Sequence, residues 1–166
     1  MNPIRTLTGL ALLALLSAPG AAAAFNGQFQ GGGTISNFNQ ACRNNNNWPE
    51  NAQYYVVRYQ PAGIGGNPDR DALTFLNDNH AFGFERPSGP FTNAFQPVTH
   101  GGVFRQPWIV WHDDPDIAAL LRVTARTPAN LTANTAASVR LRGQIRNFSG
   151  IPNCRVNFDV IVQQRR

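Results

Sequence analysis

Apolar and polar residues alternate most cleanly over residues 139–162. In the first arm of this stretch Val139, Leu141 and Ile145 share one face, while Arg140, Arg142, Gln144 and Arg146 share the other. In the second arm Val156, Phe158, Val160 and Val162 alternate with Arg155, Asn157, Asp159 and Ile161. A period of two belongs to a half-buried β-strand. Ser149, Gly150 and Pro152 lie between the arms and supply turn geometry. A turn centred near Gly150 and Ile151 sets Arg146 opposite Arg155, Gln144 opposite Asn157 and Arg142 opposite Asp159. That register collects the aliphatic residues on one face, and a slip of one residue would expose them all.

The same pattern, less regular, recurs upstream. Residues 25–38 alternate through Phe29 and Ile35 around Gly31, Gly32 and Gly33, which predicts a strand with a glycine bend. Residues 52–60 have apolar members on both faces, Tyr55, Val57 and Tyr59 against Tyr54 and Val56, as a central strand does. Residues 73–76 and 80–86 read as two strands around the turn cluster Asn77, Asp78, Asn79. Strand character returns at 108–112. It returns again at 121–127, where Leu121, Val123 and Ala125 are expected inward and Arg122, Thr124 and Arg126 outward.

Between these segments 44–47 is an asparagine run expected as a loop, and 61–71 is rich in Gly, Pro and Asp. Residues 87–106 form a long Pro- and Gly-bearing excursion that still carries Phe91, Phe95 and Phe104. Asp114 followed by Pro115 is a helix start, so a turn or two of helix is expected over 115–120. The total is an all-β chain, an antiparallel β-sandwich (immunoglobulin-like or jelly-roll-like) of seven to eight strands with at most one short helix. A small barrel is the alternative.

The N-terminal residues do not fit this pattern. Arg5 precedes an apolar run from Leu7 to Leu16, and small residues from Ser17 to Ala24 follow, which predicts a cleaved signal peptide over 1–24. The mature segment, 25–166, is then a single domain that is periplasmic or secreted, with a bacterial host favoured and no transmembrane segment expected. Export gives the two cysteines, Cys42 and Cys154, one expected state: a disulfide tying the N-terminal region to the C-terminal hairpin.

Charge changes the picture further. The formal net charge is +5, and every basic side chain outside the histidines is Arg, with no Lys. Arg140, Arg142, Arg146 and Arg155, joined by Arg122 and Arg126 if the strand at 121–127 lies beside the hairpin, would form one basic sheet face. Arg binds carboxylate and phosphate in planar, bidentate fashion, so this face suits an anionic glycan, a lipid headgroup or an acidic protein. No nucleic-acid-binding module is present.

Other constellations point elsewhere. Asn67, Asp69, Asp71 and Asp78 imitate the spacing of a calcium loop, with Ala72 where the turn wants Gly and Asp78 where a Glu is usual. His112 with Asp113 or Asp116 would suit a small hydrolase, although Asp114 and Asp116 also suit a helix first turn. Ser36, Ser88, Ser138 and Ser149 lie in no nucleophile-elbow motif, and the reading is of a non-catalytic module without a cofactor. Asn130 and Asn147 head two glycosylation sequons.

Overall fold

The computed structural model describes residues 27–46, 48–104, 111–112, 118–131 and 137–165. Among them nine strands and one seven-residue helix form. They are β1 (Phe29–Ser36), α1 (Gln40–Asn46), β2 (Gln53–Gln60), β3 (Ala72–Leu76), β4 (His80–Glu85), β5 (Gln96–Phe104), β6 (Trp111–His112), β7 (Ala119–Thr127), β8 (Ser138–Arg146) and β9 (Arg155–Gln164). Every strand pairing is antiparallel. Among the described residues no helix is long and apolar enough to cross a membrane.

The expected sandwich is replaced by a barrel. β1 pairs on one side with β2 and on the other with β9, and β4 pairs with β5, so eight strands close on themselves in the circular order β1-β2-β3-β4-β5-β7-β8-β9. The short β6 hangs on β5. Alternation along a strand says which residues face inward but not whether the first strand meets the last, and it is that meeting which removes both sheet edges.

Closure demands tight curvature where β1 meets β9. Gly31 faces the interior there, and a Cβ added to it would run into the Ile161 carbonyl oxygen and the Val162 backbone. At Gly143 of β8 the missing side chain leaves room for the Phe158 ring, its partner across the β8–β9 ladder. The rest of the interior is filled by one cluster of buried side chains, among them Phe29, Tyr55, Tyr59, Leu73, Phe75, Phe84, Leu141 and Val160. An eight-stranded barrel is just wide enough for such a filling.

Two segments depart from the sequence expectations. The asparagine run lies largely in α1 rather than in a loop, and α1 carries Cys42 to Cys154, with which it forms the expected disulfide, both residues being fully buried. Closing so long a loop contributes about 4–5 kcal/mol in the chain-entropy picture. The excursion at 87–106 contains β5, whose Pro97, Gly101 and Gly102 hide its strand character. The segment before β5 is pinned by buried Phe91 and by the Val123 amide, which donates to the Thr92 carbonyl at 2.8 Å. The helix expected over 115–120 falls mainly outside the described residues, and its end, from Ala119, belongs to β7.

The interior glycine gives a direct test of this packing. Gly31→Ala should lower stability by about 1–3 kcal/mol in urea unfolding, the usual range for overpacking a core. Gly32→Ala, whose Cβ would face outward with its nearest neighbour 3.6 Å away, should leave it within about 0.5 kcal/mol.

Candidate functional site

The basic face develops from the hairpin of β8 and β9. Its register is the one that alternation predicts: Arg146 opposite Arg155, Gln144 opposite Asn157 and Arg142 opposite Asp159. The inner residues of both strands are buried. The hydrogen-bonded partner of Asp159 is nonetheless Arg140, its diagonal neighbour, which donates through Nε to Oδ1 at 2.9 Å and through Nη2 to Oδ2 at 2.7 Å. Arg142 adds a looser contact, Nε to Oδ2 at 3.7 Å. The Arg140 hydrogen bonds hold the Asp159 carboxyl below its ordinary range. Its small stabilising contribution is therefore present above the unfolded carboxyl pKa and lost as pH falls through the lower folded value.

At the other end of the hairpin, Arg146 and Arg155 face each other with no carboxylate in ion-pair range among the described residues. Arg146 lies over the Phe95 ring at 3.8 Å from its centroid, and Arg122 approaches the same ring at 4.5 Å. Arg122 also donates to Gln144 Oε1 through Nε at 3.1 Å and Nη2 at 2.6 Å. A ring that accepts two guanidinium groups holds them side by side despite their like charge. Between Arg146 and Arg155 is a depression of about 90 Å³, lined also by Asn37, Phe95, Gln144 and Asn157. A wider, more open depression of about 300 Å³ continues from it past Gln144 and Asn157 to Ser36, Thr124, Arg142 and Asp159.

The backbone beneath Arg155 is unusually well held. The Asn39 amide donates to the Arg155 carbonyl at 3.2 Å, and Asn39 Oδ1 accepts from the Arg155 amide at 2.9 Å. Asn39 Nδ2 donates to the Asn153 carbonyl at 3.0 Å, and the disulfide at Cys154 lies one residue before Arg155. The staple thus fixes the strand end that carries Arg155.

No protein-family model, curated protein or solved structure matches the chain. The chemistry of the site therefore rests on its own residues.

Arg126 does not belong to the basic face. The β7–β8 register shifts between Val123 and Ala125, so beyond this bulge Ala125 faces outward opposite Arg142, and Arg126 faces inward opposite Leu141. Arg126 Nη2 there donates to Asp71 Oδ2 at 3.2 Å and to the Phe91 carbonyl at 3.2 Å. Asp71 is fully buried. It also accepts from the Tyr59 hydroxyl at 3.1 Å, the Ala62 amide at 2.7 Å and the Phe91 amide at 2.7 Å. Burial pushes the Asp71 carboxyl up, and the two amides, Arg126 and Tyr59 pull it back. This cluster closes one end of the barrel and ties the 61–71 loop to the segment before β5.

The calcium constellation does not converge. Both Asp71 oxygens are occupied by donors, Asn67 Nδ2 is spent on the Gly27 and Pro61 carbonyls, and Asp78 lies beyond the far end of β3. At about 3.3 Å per extended residue Asp71 and Asp78 are roughly 20 Å apart, too far to share a cation. No group of three or more His, Cys, Asp or Glu suited to a metal occurs among the described residues. His112 pairs with His100 in the backbone register of β5 and β6, while Asp113 and Asp116 lie outside the described residues. Asn147 has a structural part: its Nδ2 donates to the Ala118 carbonyl and its Oδ1 accepts from the Asn153 amide. Asn130 is exposed.

Sequence reasoning missed Asn37, Asn39 and Tyr59 as site or closure residues. Phe95 was visible only as one aromatic in a long connection, and nothing local marks it as the ring on which two arginines stack.

Two outcomes are expected. Arg126→Met leaves Asp71 buried without its cation and should cost about 3–5 kcal/mol at neutral pH. Because a raised carboxyl pKa favours the protonated fold, that loss should shrink as pH drops toward 4 in denaturant titrations. Burial pushes Tyr55 up to about 12, and burial together with the Asp71 charge raises Tyr59 further. In an absorbance titration neither should ionise near the ordinary tyrosine value of about 10 while the barrel stays folded, and stability should decline as pH rises above 10.

Proposed function

We propose that this chain is an exported, disulfide-stapled, non-catalytic binding module that holds an anionic group between Arg146 and Arg155. The observation that carries this reading is the directly opposed Arg146–Arg155 pair, without a carboxylate partner among the described residues and with Arg146 fixed over Phe95. Like charges set directly across a ladder oppose each other and cost stability, so a pair kept this way favours a bound anion. The depression between them has room for one phosphate, sulfate or carboxylate group and offers the amide side chains of Gln144 and Asn157 beside the two guanidinium groups. The wider depression past Arg142 would accommodate whatever carries that group. Export, and with it a periplasmic or secreted setting, is supported by the three-part pattern of residues 1–24 and agrees with the disulfide.

Inorganic phosphate is the simplest probe. Titrated against the protein at low salt, it should shift the side-chain NMR signals of Arg146 and Arg155 saturably, and added salt should weaken the effect. Arg146→Ser/Arg155→Ser should lower the affinity by about ten-fold or more, whereas Arg140→Ser, which removes the partner of Asp159, should not. Undiminished phosphate binding in the double variant would falsify the reading.

A further inference from the structure

The outer wall opposite the packed interior is not uniformly polar. Tyr54 is 76% exposed, Val56 52%, Leu76 52% and Ile161 51%. The ladder registers put these side chains together. Val56 pairs with Leu76 on one side and with Gly32 on the other, and Gly32 pairs with Ile161. Residues opposite each other across a ladder share a face. Leu76, Val56, Gly32 and Ile161 therefore form one row across β3, β2, β1 and β9, about 14 Å long at roughly 4.8 Å per strand. Tyr54 stands beside the row, two positions before Val56 on the same face of β2.

Gly32 differs from Gly31 in a telling way. Packing requires no glycine at 32, since a Cβ there would meet only the Tyr55 oxygen at 3.6 Å. Its missing side chain lowers the middle of the row on a convex wall, so Val56 and Ile161 can reach a flat surface together.

Charge indicates what that surface is. The row ends at Arg140, the partner of Ile161 in β8. On the outer positions of β8, β9, β1, β2 and β3, exposed Arg58 joins the four arginines of the hairpin, and Asp159 is the one acid, with Asp78 in the turn beyond β3. Two such walls placed face to face would bring excess positive charge against excess positive charge. A layer of anionic headgroups meets the same arginines with the opposite sign and takes aliphatic side chains and a tyrosine at its acyl boundary. We infer that this wall docks on an anionic lipid bilayer, with Val56, Leu76, Ile161 and Tyr54 at the acyl boundary and Arg58 and Arg140 on headgroups. The inference places no lipid in the Arg146–Arg155 depression, although both arginines count in the net charge of the wall.

The test uses the full chain in whatever N-terminal form the expressing cell leaves. Co-sedimentation is measured with vesicles of mixed phosphatidylglycerol and phosphatidylcholine and with phosphatidylcholine alone. In parallel, methyl NMR signals are recorded with a nitroxide-labelled lipid in anionic bicelles. Binding should be at least ten-fold stronger to the anionic vesicles, and Val56→Asp/Ile161→Asp, both at outward positions, should lower it by ten-fold or more. The nitroxide should broaden the methyl signals of Val56, Leu76 and Ile161, and Arg146→Ser/Arg155→Ser should keep that pattern. Absence of vesicle binding, binding untouched by the aspartates, or broadening confined to other methyls would overturn the inference. So would a lipid-free dimer that the aspartates dissociate, which would assign the row to a second copy of the chain. Loss of the broadening pattern in the arginine variant would move the contact to the depression and overturn it as well.

Discussion

The pairing of β1 with β9 is the constraint on which the other features depend. Once the first and last strands meet, the wall is finite and the interior has a fixed width. The core then has to be filled by the strands' own inward side chains. Where two backbones crowd, an inward position becomes Gly31; where a ring needs space, it becomes Gly143. No sheet edge remains among the eight closing strands, which relieves the wall of the need to blunt edges with charge. The arginines of the outer face are then left to solubility and to the anion binding proposed above.

A closed wall also leaves two open ends, and this chain covers them with different chemistry. Near α1 and the disulfide the cover is aromatic: Phe38 stacks on Trp48 at 5.2 Å, and Phe148 packs against Trp48 at 5.4 Å and Phe82 at 4.8 Å. At the other end the cover is polar, built from Asp71, Arg126 and Tyr59 with the backbone amides of Ala62 and Phe91. The aromatic end, where the His80 ring also packs on Trp48 at 4.9 Å, is held chiefly by dispersion and apolar burial. The polar end depends on keeping one buried charge matched by its donors. The candidate anion site lies close to the covalently tied end, where the disulfide and Asn39 hold the start of the strand carrying Arg155.

Much of this was legible in the residues themselves. The hairpin register followed from strict alternation on two arms and a turn of the right composition, and the disulfide followed from two cysteines in a chain expected to be exported. The central strand at 53–60 was equally plain. What escaped has physical causes. Whether two distant strands pair is a property of the whole sheet, so sandwich and barrel looked alike from within each strand. A single extra residue in β7 reversed the facing of everything after it, which sent Arg126 inward against the simple period. Asp71 was read only as one acid of the calcium-like spacing because its partners, Tyr59, Phe91 and Arg126, come from three separate places in the chain. β5 was hidden by Pro97 and its glycines, which the ladder tolerates although propensity does not favour them.

The disulfide has a mechanical consequence as well. Its covalent ring runs from Cys42 to Cys154, leaving β1 and β9 outside it, one on each side, and those are the strands that zip the wall shut. Tension applied through Gln28 and Arg165 would load the β1–β9 ladder from the Phe29–Gln164 end, peeling it pair by pair rather than shearing it. The tear would run toward Ser36 and Asn157 and halt at the sulfur bridge, with β2 to β8 still enclosed in the ring. Under load the molecule would therefore lengthen by a short, fixed amount and then hold.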